Sequence, residues 1–150
     1  SLSIAVWCAE RYPTAQLWPA EAAARWAARS VTCEMHSGFT NLRSALPMNL
    51  KARFPNFTVW SRAKGDIERV AEIWNDCLQR YGGPFLFGKT PTLADAMYAP
   101  VATRFLTYDV ALDEPCSAYC QTIMALPAMQ EWIASAKLEP DDIEELEMEF

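Results

Sequence analysis

"TPTLADAMYAPVATRFLTYD", residues 90–109, is the stretch that decides the fold. Thr92 is a strong N-cap residue, and Asp95 follows three positions later. A hydroxyl at the N-cap and a carboxyl at N3 can each satisfy a free amide of the other, a capping box with Asp in place of the commoner Glu. Behind the box lies an almost wholly apolar run: Leu93, Ala94, Ala96, Met97, Tyr98, Ala99, Val101, Ala102, Phe105 and Leu106. A helix that is apolar on every side is buried on every side. Pro100 removes one backbone donor and crowds the preceding turn, so a kink is expected there. On this reading Thr92 and Asp95 are structural, and Asp95 has no catalytic role.

Working outward, the flanking segments also carry the helical period. Residues 66–81 read as a helix capped by Asp66, with Ile67, Val70, Ile73, Trp74, Cys77 and Tyr81 inward and Gly82-Gly83 closing it. Residues 20–46 read as one long helix, ended by Pro47, whose stripe is Ala23, Trp26, Ala27, Val31, Met35, Gly38, Phe39, Leu42 and Leu46. Gly38 then falls in mid-helix, at a cost of about 1 kcal/mol against Ala. Residues 47–65 lack a clean period and read as an irregular loop. Residues 2–12 form a first helix with Ile4, Ala5, Cys8 and Ala9 on one stripe, stopped by Pro13. Two last helices, near 115–126 and 127–136, each carry Pro in the first turn. The expected fold class is all-α, a helical bundle around one buried, capped helix.

Composition narrows the function classes. The net charge is −6, yet residues 141–150, "DDIEELEMEF", hold six acids and no base. The rest balances at 13 acids against 13 bases. The acidity therefore belongs to a tail, read as a solvated end. No basic stripe exists, so nucleic acid is not an expected partner. No apolar run is long enough to span a bilayer, so no membrane role is expected. Cys8, Cys33, Cys77, Cys116 and Cys120 are odd in number and contain no C-x-x-C pair. With one histidine in the chain, no metal site is expected. Reduced thiols suit a cytoplasmic protein. No catalytic constellation is visible in the residue pattern itself.

The order "SLSIAVWCAERYP", "LWP", a long helix carrying "EMHSGF", then "GKTPTLADAMYAP" resembles the C-terminal part of bacterial cytosolic glutathione S-transferases of the beta-like kind, over essentially the whole chain. Thr92 and Asp95 match the box that nucleates that family's central helix. The resemblance implies a preceding thioredoxin-like domain that binds glutathione and carries the catalytic residue. Ser1-Leu2-Ser3-Ile4 matches the second half of the motif that holds the γ-glutamyl end. Residues 1–13 are then the last helix of that domain, and residues 14–150 the helical domain. A truncated paralogue, a fragment and a free helical domain with a new role all fit this.

The same resemblance names candidate site residues. Ser1 and His36 match positions that touch glutathione, here a vestigial glutathione site; the alternatives are a frayed terminus and a surface histidine. Met35, His36, Phe39 and Arg104 match positions around the pocket for the hydrophobic co-substrate. The alternatives are plain core for Met35 and Phe39, and for Arg104 a head that reaches solvent or an acid such as Glu34. No catalytic residue is expected within the chain and no cofactor, glutathione being a co-substrate of intact relatives. Expected partners are a second copy in a homodimer, or a separate thioredoxin-like domain or other protein. The rival reading is a non-catalytic interaction module with the same helical fold. Lacking a packing partner, the first helix should be loosely held.

Overall fold

The structure is a computed structural model and describes residues 1–140; the acidic run at 141–150 lies outside the described residues. Seven α-helices follow one another: α1 (Leu2–Arg11), α2 (Ala22–Ser37), α3 (Thr40–Ala45), α4 (Ser61–Tyr81), α5 (Leu93–Thr107), α6 (Glu114–Met124) and α7 (Pro127–Leu138), with a 3-10 turn at Pro13–Ala15. Among the described residues no strand forms beyond an isolated bridge between Phe85 and Gly88. The fold is all-α.

α5 is the axis. Its capping box is closed in both directions. The Asp95 carboxylate is 1% exposed and saturated: Oδ2 accepts from the Thr92 amide at 2.7 Å and the Thr92 hydroxyl at 3.0 Å. Oδ1 accepts from the Leu86 amide at 2.9 Å and the Tyr119 hydroxyl at 3.1 Å. A buried carboxylate is tolerated only with such a set of donors. Burial, and then the Asp95 charge, push the Tyr119 phenol well above its ordinary range. Trp74 of α4 packs its indole against Tyr98, Phe105 and Tyr119, with ring centroids 6.0, 5.4 and 4.7 Å away. The helix is not buried on every side: Ala96 is exposed, and Leu93, Met97 and Leu106 are half-buried. It runs across Pro100 without interruption.

The expected long helix over 20–46 is two helices. Gly38 is not in mid-helix but is the C-cap of α2, its amide on the Glu34 carbonyl at 2.8 Å. A Cβ at Gly38 would lie 2.7 Å from that same oxygen, which excludes a side chain. Phe39 then adopts left-handed backbone, φ 57°, and α3 starts afresh. The buried stripe of α2 is Ala24, Ala28, Thr32 and Met35, so above Met35 it runs one position on from the expected Ala23, Ala27 and Val31. Small residues let α2 lie close along α5. Trp26 is turned out to 67% exposure, where the Arg29 guanidinium lies 5.7 Å from its ring and from that of Trp18.

α4 begins at Ser61, five residues before the expected cap. Asp66 does cap a helix, but not its own. Its Oδ2 accepts the amide of Leu42 in the first turn of α3 at 2.9 Å, where the N-cap residue Phe39 offers no side-chain acceptor. The buried face of α4 is Ala63, Val70, Ile73, Trp74 and Cys77, with Ile67 and Tyr81 half-buried. Gly82 closes it in the left-handed region, φ 78°, as the Gly-Gly pair implied.

α1 has no buried residue. Its half-buried side is Leu2, Ala5, Val6, Cys8 and Ala9. Ile4, expected on the packed stripe, is 67% exposed and shares the outer side with Trp7 at 57%. Trp7 meets Tyr12 edge-on, with centroids 6.4 Å apart.

Candidate functional site

The outer end of α2 brings together two residues that lie far apart in the chain. Ser1 Oγ and His36 Nδ1 are 3.3 Å apart, on the surface. The direction of this hydrogen bond is set by the imidazole tautomer. The Ser1 carbonyl accepts the Ala5 amide at 3.0 Å in the first turn of α1, while its hydroxyl makes no cap and turns to His36. An exposed hydroxyl beside an exposed imidazole can bind a carboxylate or thiolate by hydrogen bonds.

Met35 and Phe39 flank His36 in sequence but point the other way. They are 7% and 8% exposed and belong to the core cluster. Arg104 is half-buried on α5. Its Nε donates to the Leu46 carbonyl at 2.9 Å and one terminal nitrogen to the Pro100 carbonyl at 3.0 Å. It thus ties the end of α3 to α5. Burial, with Arg43 nearby, lowers its pKa from the ordinary guanidinium value. Glu34 is not its partner: that carboxylate takes Arg69 at 2.8 Å instead.

Several cavities indent the described surface. One of about 310 Å³ lies between the 16–21 linker and the Tyr81–Phe87 pair. One of about 50 Å³ lies beside Ala45, Phe57 and Trp60. One of about 190 Å³ lies between residues 50–53, α5 and α7. Met35, His36, Phe39 and Arg104 line none of these three.

The family model described as "Glutathione S-transferase, C-terminal domain" matches residues 20–135. The chain belongs to the glutathione S-transferase C-terminal domain family. No curated protein matches it. Within this family fold, the Thr92–Asp95 box and the buried α5 form the centre of the helical domain, and Ser1 and His36 sit at its rim.

Other groups offer less chemistry. Cys77, Cys116 and Cys120 are buried. Burial raises the Cys77 and Cys120 thiols to about 12, so they are not nucleophiles at neutral pH. Among the described residues no cluster of three His, Cys, Asp or Glu side chains could hold a metal ion, and no helix is long and apolar enough to cross a membrane.

Two features were missed in the sequence. The role of Asp66 toward α3 had no local signal, because donor and acceptor are 24 residues apart. The cavity beside residues 50–53 gathers side chains from four separate segments. Only the alternation of Leu50 and Ala52 with Lys51 and Arg53 hinted that this loop has an inner and an outer side.

Proposed function

We propose that this chain is the co-substrate half of a glutathione transferase-like protein. Thiolate activation is supplied by a thioredoxin-like domain, on the same polypeptide or another. Ser1 and His36 form the edge of the glutathione subsite. Met35 and Phe39 form the packed floor behind it, and Arg104 holds the end of α3 against α5. Alone, the helical domain is assigned no turnover: the Ser1 hydroxyl and the His36 imidazole are exposed and serve as a binding edge, with thiolate activation supplied by the thioredoxin-like domain.

The observation that supports this reading is the Ser1–His36 contact at 3.3 Å across 35 residues of chain. Both were singled out by separate motifs, and they meet on one surface. The test is calorimetric titration of S-hexylglutathione and of glutathione. The expected result is that the hexyl conjugate binds the more tightly, that His36→Ala weakens it several-fold, and that the chain alone leaves conjugation of an aryl chloride at the uncatalysed rate. Equal heats for the two ligands, insensitivity to His36→Ala, or turnover by the chain alone would overturn it.

The second reading, a docking module, is favoured by the outward Ile4, Trp7 and Tyr12, 53% exposed or more. It predicts concentration-dependent self-association, or capture of a thioredoxin-like partner, that Trp7→Ser abolishes. Sedimentation that shows a monomer at all concentrations would argue against the dimer form.

A further inference from the structure

The cavity of about 190 Å³ beside residues 50–53 has a composition that the glutathione transferase reading does not use. Its apolar lining is Leu50, Leu106, Met124 and Ile133, and its cations are Arg53 and Lys137. Both cations are exposed, and among the described residues neither has an ion-pair partner. Two unpaired positive charges over an apolar floor are complementary to an anion with an apolar body.

The walls are braced rather than loose. The Asn49 side chain accepts the amides of Lys51 and Ala52 at 2.9 and 3.0 Å, which fixes the turn. The Thr107 hydroxyl donates to the Asn49 carbonyl at 2.9 Å, and the Phe54 amide to the Thr107 carbonyl at 2.7 Å, which fixes the loop to α5. Lys51 Nζ donates to the Glu139 carbonyl at 2.7 Å, which fixes it to the end of α7. Phe54 stacks on Tyr108 at 5.3 Å, so the residue after Arg53 is anchored too. The backbone carrying Arg53 and that carrying Lys137 are therefore held across one cleft. Such preorganisation lowers the ordering cost of binding.

We propose that this cleft is a binding site for a small amphipathic carboxylate. The carboxylate lies between Arg53 and Lys137, and the alkyl or aryl body rests on Leu106, Met124 and Ile133. The cavity is smaller than those of drug-sized ligands, which favours a medium-chain acid over a long one. It is separate from the Ser1–His36 rim, so it stands or falls independently of the co-substrate reading.

Octanoate titrated into the full chain by calorimetry, with octanol as the uncharged control, tests this. The expected result is saturable octanoate binding, weak or absent octanol binding, and a loss of about tenfold or more in affinity in the Arg53→Glu/Lys137→Glu variant. Thermal unfolding of that variant should be unchanged, as both side chains are exposed. Octanol binding as well as octanoate, or a variant that keeps its affinity, would overturn the proposal. The chain's own residues 141–150 combine six acids with Ile143, Leu146, Met148 and Phe150 and so share this chemistry. A full chain with those acids changed to amides separates the two sources. Binding seen only in that form would overturn the free carboxylate in favour of the acidic segment. No binding in either form would overturn the site itself.

Discussion

α1 and α5 are both apolar helices, with mean composition that looks alike on paper, and the molecule treats them in opposite ways. α5 buries nine of its residues, including a carboxylate with four hydrogen-bond donors around it. α1 buries none, and leaves Ile4 and Trp7 more than half exposed. Full burial of such side chains is worth about 1.5–3 kcal/mol each, and α1 forgoes it. The difference teaches that apolar content alone does not place a helix in the core. The local box at Thr92–Asp95 and packing around most of its circumference do that for α5. Among the described residues α1 has one half-buried side, Leu2, Ala5, Val6, Cys8 and Ala9, and one exposed side.

The largest effect that could break this contrast is at Asp95. Asp95→Ala should cost roughly 3 kcal/mol or more, because the buried Thr92, Leu86 and Tyr119 donors are all left without their acceptor. Urea unfolding measures it; a loss below about 1 kcal/mol would mean that the box is an ordinary surface cap. Asp66→Ala comes next. It removes the only side-chain cap that α3 receives among the described residues, and should cost about 1 kcal/mol. Amides of α3 should lose protection before those of α4.

Smaller still, and opposite in sign, is Gly65→Ala. Gly65 lies inside α4 with nothing within 4 Å of the added methyl, so it should gain up to about 1 kcal/mol from helix propensity. The smallest effect sharpens the contrast from the other side. Ile4→Ser with Trp7→Ser should change the stability of the monomer by no more than about 0.5 kcal/mol. A large loss would mean that the outer face of α1 is already packed.

What the sequence made legible follows the range of the interactions. The α5 box spans three residues and was readable at once. The Gly-Gly end of α4 was equally local. The break at Gly38–Phe39 was not, since a mid-helix Gly and a C-cap Gly look the same until the close Glu34 carbonyl is seen. The stripe of α2 was misplaced by one position because Trp26 outweighs Ala24 and Ala28 in hydropathy, whereas close helix packing prefers the alanines. Asp66 was read as a cap for the wrong helix, since its true partner lies in another element. Of the candidate site, Ser1 and His36 were named through the family resemblance and do meet. Met35 and Phe39 are core, one of the two alternatives left open. Arg104 found two carbonyls rather than Glu34, whose carboxylate pairs with Arg69.

Native-state hydrogen exchange of α1 against α5 measures the difference between the two helices. α5 amides should exchange only through global unfolding, while α1 amides exchange through local opening at a small fraction of that free energy. Protection of α1 equal to that of α5 would contradict it, and would mean that α1 is part of the core.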